Sequence, residues 1–145
     1  MKELDPVPTG VAVGTDGTIY LGLLSGGPFP PGAAKVLKVG TDGTLTDYAT
    51  GLTMVVGVAV GPDGNVYTSE ISTNFLGEQP APGAVLRIKS DGTTENVVEG
   101  LALPNGIAFD KDGNLYVATF TVAFAPPGSP PQGMVLRFDG VAHAM

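Results

Sequence analysis

The 145 residues give room for one ordinary domain and not for a two-domain enzyme. A formal net charge of −7 offers no cationic field to phosphate backbones, so no nucleic-acid partner is expected, and the absence of cysteine removes disulfides, thiolate zinc sites and a cysteine nucleophile. With 22 glycines and 13 prolines beside 43% hydrophobic and only 14% charged residues, the composition describes many short strands joined by turns rather than a disordered chain.

Residues Met1 to Gly10 carry no apolar signal core. No uninterrupted apolar run approaches the roughly 18 to 20 residues of a membrane helix, so the chain as given reads as soluble. The first periodic segment is Gly10-Val11-Ala12-Val13-Gly14, followed by Asp16-Gly17. Asp-Gly readily supplies the positive φ angles of a tight hairpin, so a second strand is expected from Thr18 to Ser25. A third is expected from Ala34 to Val39 and, after Asp42-Gly43, a fourth from Thr44 to Thr50.

The same unit then returns. Gly57-Val58-Ala59-Val60-Gly61 and Gly106-Ile107-Ala108-Phe109 repeat the Gly10 string at a period of 47 and then 49 residues. Val36-Leu37-Lys38-Val39 recurs as Val85-Leu86-Arg87-Ile88 and as Val135-Leu136-Arg137-Phe138. Nowhere does the helical apolar period occur behind a capping residue. Four strands per unit of nearly 50 residues is the mark of propeller blades. A twelve-stranded β-sandwich is the alternative, but it has no need of one string at matched positions of every unit. The expected fold is therefore all-β, in three four-stranded blades over about residues 8–50, 51–101 and 102–145 of a single 1–145 domain.

The strings Pro8-Thr9-Gly10-Val11-Ala12-Val13-Gly14, Val36-Leu37-Lys38-Val39 and Asp47-Tyr48-Ala49-Thr50-Gly51-Leu52 resemble the ScyD/ScyE-type propeller proteins. More distantly they are similar to the NHL and gluconolactonase-like six-bladed propellers. The resemblance runs along the whole chain and implies a six-bladed ring, of which the chain holds about half.

Aligning Gly43 with Gly140 sets Val141 to Met145 opposite Thr44 to Tyr48, in the outermost strand of the third blade. Aligning Gly57 with Gly10 sets Met1 opposite Tyr48, so two copies head to tail read as a nearly continuous six-blade sequence. A homodimer is expected on this ground, because a three-blade arc leaves two apolar faces in water and a head-to-tail pair covers both.

Few residues carry chemistry. His143, the single histidine, falls in the expected outer strand, and no Ser-His-Asp set or phosphate-binding glycine loop is present. Asp16, Asp42, Asp63, Asp91 and Asp112 sit in Asp-Gly turns, where local backbone bonding accounts for them. Two polar residues break the repeat: Glu70 stands where the other units carry Leu23 and Thr119, and Asn105 where they carry Thr9 and Val56.

The gluconolactonase resemblance implies a divalent metal held by an Asn in a Pro-Asn-Gly string, here Pro104-Asn105-Gly106, and by an acid three residues after a Tyr, here Tyr67 and Glu70. Oxygen ligands of this kind suit calcium. The long connections Gly26 to Ala33, Thr73 to Gly83 and Val122 to Gly133 share one rim and carry Phe29, Phe75 and Phe124 among prolines, a candidate small-molecule binding rim. The expected function is a self-associating half propeller, structural or ligand-binding and without catalytic machinery. A calcium-dependent lactonase-like hydrolase is the alternative.

Overall fold

The computed structural model describes residues 7–121, 127–130 and 132–143. Their regular structure is all strand. Strands β1 (Pro8–Val13), β2 (Ile19–Leu23), β3 (Ala34–Val39) and β4 (Leu45–Leu52) form one antiparallel sheet in sequence order, and β5 (Val55–Val60), β6 (Val66–Glu70), β7 (Gly83–Ile88) and β8 (Thr94–Leu101) form a second. A third holds β9 (Ile107–Phe109), β10 (Leu115–Thr119) and β11 (Met134–Phe138). No helix of the described residues is long and apolar enough to cross a membrane.

The turns form as their chemistry dictates. In the first hairpin Gly17 takes φ 83°, and the Asp16 carboxylate accepts the Thr18 backbone N–H at 2.9 Å. Asp42, Asp63 and Asp91 bind the residue two places on in the same way. In the third repeat the acceptor is Asp110 rather than Asp112. Its carboxylate takes the backbone N–H groups of Asp112 and Asn114, the Asn114 amide and the Tyr116 hydroxyl, which holds its pKa down at about 2.

The three innermost strands, β1, β5 and β9, lie next to one another, so the sheets are arranged as successive blades. Because side chains alternate along a strand, each sheet has a leading face toward the blade before it and a trailing face toward the blade after it. Val58, Val66, Leu86 and Ile88 of the second blade pack on Ala34, Val36, Ala49 and Leu52 of the first. Tyr67 and Val85, on the other face, pack on Leu115, Val117 and Phe109 of the third.

The recurrent glycine of the inner strand lies at these junctions. A Cβ on Gly10 would stand 3.0 Å from the Val58 nitrogen, and one on Gly57 would stand 2.5 Å from the Asn105 carbonyl oxygen. The blades meet there backbone to backbone: a Cβ would be tight at Gly10 and would not fit at Gly57.

The C-terminal end differs from expectation. Val141 and His143 do not enter an outer strand; Asp139 to Ala142 form a turn. Asn114 and Gly113 capture it, the Asn114 side-chain oxygen accepting the Gly140 N–H at 3.0 Å and the Gly113 carbonyl accepting the Ala142 N–H at 2.9 Å. Ala142 is fully buried in the cluster around Tyr67 and Leu115. These two local bonds and the burial of one methyl take the place of a fourth strand edge.

Candidate functional site

The long connections after β2 and β6 come together on one rim. Phe29, in the first, adopts φ 62°, and its ring meets that of Phe75 in the second edge-on, with centroids 6.1 Å apart. Phe75 and Leu76 beside it are exposed, so the loop presents an apolar surface to solvent. Phe124 lies outside the described residues.

The first loop is tied to the linker that follows β4, and the second is braced by bonds within itself. The Thr53 hydroxyl accepts the Gly32 N–H at 3.1 Å, the Ser72 hydroxyl donates to the Ala81 carbonyl at 2.7 Å, and the Asn74 side chain accepts the Leu76 N–H at 3.0 Å. Beside the second loop is a cavity of about 360 Å³, walled by Pro80, Ala81 and Pro82 on one side and by Gly100 to Leu103 on the other. It is mostly apolar, of the size that suits a small ligand. The sequence reading missed it. Its only signal was the Pro-Ala-Pro run opposite a Gly-Leu-Ala-Leu run, which lie far apart along the chain.

Glu70, at the end of β6, is 6% exposed, and its carboxylate accepts the Thr53 backbone N–H at 2.7 Å. Burial pushes its pKa up, against the smaller opposite pull of the Thr53 N–H. Ser69, the preceding residue, faces the other way and donates its hydroxyl to the Asn105 carbonyl. Glu70 thus serves the linker between the first two blades, while Asn105 belongs to the linker between the second and third. No hydrogen bond joins them. Among the described residues no three His, Cys, Asp or Glu side chains converge as a metal cluster would. Calcium takes six to eight oxygens, which Glu70 and Asn105 of one chain do not supply.

The arrangement makes Glu70 testable as a structural acceptor. An acid whose folded pKa is raised loses stability as pH climbs from its unfolded value, near 4.5, through the folded one. Glu70→Gln keeps the acceptor oxygen and removes the charge. It is expected to melt at or above the parent at pH 7 and to flatten that part of the pH dependence. Glu70→Leu, the residue carried at the equivalent Leu23, leaves the Thr53 N–H unpaired and should cost about 1–3 kcal/mol in urea unfolding. Equal stability of the Leu variant would remove the capping role.

Residues 57–125 match the SMP-30/Gluconolactonase/LRE-like region family. The matched segment covers the second blade and runs into the third, and includes Glu70 and Asn105. No curated protein matches the chain in sequence. Among solved structures, the gluconolactonase XC5397 from Xanthomonas campestris superposes with a TM-score of 0.69 at 17% identity, covering 98% of this chain and 47% of that one. A streptogramin B lyase aligns with a TM-score of 0.58 at 20% identity, over 91% of this chain and 40% of that one. A Thermus thermophilus protein assigned as a glucose dehydrogenase-type oxidoreductase gives 0.56 at 25% identity, over 78% and 36%. The chain therefore spans about half the length, or less, of the structures it resembles. The fold is that of gluconolactonase-like propellers.

Proposed function

We propose that this chain is a half propeller that associates with a second copy to complete six blades, and that the assembly serves as a binding module for small molecules at its loop rim. The observation that carries the reading is a comparison of equivalent positions. Val58 and Val66, on the leading face of the second blade, are 8% and 0% exposed, while their counterparts Val11 and Ile19 in the first are 64% and 38% exposed. On the trailing faces Val36 and Val85 are fully buried, but Val135 is 67% exposed.

The same side chains are core inside the arc and surface at its two ends. Isolated apolar patches of this kind mark interaction sites. Each end carries what the other end lacks, so a two-fold, head-to-tail pair covers both. The Phe29–Phe75 pair and the cavity beside the second loop supply the apolar rim.

Light scattering at micromolar concentration is expected to give twice the chain mass of 14.6 kDa. A stable monomer would refute the reading.

The family match favours a second reading, a calcium-dependent lactonase-like hydrolase using Glu70 and Asn105. It requires oxygen ligands beyond those two side chains. Millimolar calcium would then raise the melting temperature by linkage, Glu70→Gln would abolish the gain, and lactone hydrolysis would follow. Absence of both effects leaves the binding module.

A further inference from the structure

Each internal junction between blades is sealed by one polar bond beside the glycine contact. At the first junction the Thr9 hydroxyl donates to the Val55 carbonyl of the next blade at 2.7 Å. At the second, where Thr9 is replaced by Val56, the Ser69 hydroxyl donates to the Asn105 carbonyl instead. The trailing face of the third blade carries Ala118 at the position of Ser69 and Asn105 at the position of Thr9. Asn105 is half-buried, and its side chain makes no hydrogen bond to a described residue. Beside it, a Cβ on Gly106 would meet nothing within 4 Å, unlike those on Gly10 and Gly57.

We infer that a second copy of this chain docks on this trailing face. In that seam Gly106 meets the backbone of the partner's Gly10 and the partner's Val11, and the Asn105 amide donates to the carbonyl of the partner's Pro8. That carbonyl is the repeat equivalent of the Val55 oxygen that Thr9 binds. The inference rests on the self-association proposed above and adds the surface, its register and its donor. It explains why a glycine is present at 106 although no described residue crowds it, and why position 105 carries a donor. Asn105 is a positioning residue of the seam.

Light scattering and dilution measurements on the parent, Gly106→Val, Asn105→Leu and Asn105→Thr test it. Gly106→Val has no neighbour to clash with among the described residues, so it is expected to fold. A backbone wedge in each of two seams should weaken association by roughly a hundredfold or more. Asn105→Leu should weaken it by about tenfold, and Asn105→Thr, which restores the donor of the first junction, should return it to near the parent value.

A mixture of Val11→Asp and Val135→Asp, each monomeric alone, should form a one-to-one complex through the one intact seam. A dimeric parent whose Gly106→Val variant associates equally tightly would overturn the seam while leaving self-association standing. A parent that stays monomeric would overturn both.

Discussion

Gly57→Val is expected to lower the stability of the folded chain by about 3 kcal/mol or more. A Cβ at this position would stand 2.5 Å from the Asn105 carbonyl oxygen and 2.6 Å from the Ser69 hydroxyl oxygen. The first neighbour is backbone, so it has no rotamer through which to yield. Relief requires the second and third blades to move apart, which strips cover from Tyr67, Val85, Leu115 and Val117 together. A folded domain is stable by only about 5–15 kcal/mol, so such a loss shows directly as a lower urea midpoint. The matched control is Gly106→Val, measured at a dilution where the chain is monomeric, for which little change is expected. Equal midpoints for Gly57→Val and the parent would mean that the blades do not meet as closely as this.

Val85→Asp and Val135→Asp make the second comparison, the same substitution at equivalent positions of the second and third blades. Val85 is fully buried in an apolar cluster with Leu115 and Val117 of the third blade. An unpaired charge in such a place costs on the order of 3–5 kcal/mol, or shifts its pKa upward and is carried protonated at a similar cost. Val135, being exposed, should change the stability of the monomer by no more than about 0.5 kcal/mol. Its effect belongs to association. Circular dichroism during urea unfolding reads the first quantity and light scattering the second. A Val135→Asp chain as unstable as Val85→Asp would show that the third blade's outer face is already covered within the chain.

How legible each part was depended on the distance over which its cause acts. The hairpins depend on contacts within four residues: Gly17 at positive φ and Asp16 bonded to Thr18 follow from the dipeptide itself. Ala34–Val39 formed over the span expected; β1 begins two residues early at Pro8 and ends at Val13, β4 begins at Leu45 and runs on to Leu52, and β2 keeps only Ile19–Leu23 of the expected Thr18 to Ser25, because strand ends are set by where a partner strand is paired. The repeat of Gly10, Gly57 and Gly106 was plain in the sequence, and so was the approach to one rim of the loops carrying Phe29 and Phe75.

What the sequence could not assign was set by neighbours far along the chain. Glu70 looked like a departure from the repeat; its carboxylate in fact caps Thr53, 17 residues away, a partner that no local pattern names. Val141 and Ala142 aligned with an outer strand, yet Asn114 and Gly113 hold Gly140 to Ala142 in a turn, since a strand forms only where a paired edge outcompetes the local bonds on offer. Asp110 took the turn role expected of Asp112: it stands where the other units carry Gly14 and Gly61, and it accepts from Asn114 and Tyr116 the bonds that Asp63 accepts from Asn65 and Tyr67.

The sequence by itself determined the strands, their turns and their threefold repetition, because period-two alternation and Asp-Gly chemistry act through bonds between near neighbours. Only the tertiary structure decided which of three equivalent valines is core and which is surface. Val36, Val85 and Val135 carry the same side chain, and their exposure of 0%, 0% and 67% is fixed by whether another blade stands beside them.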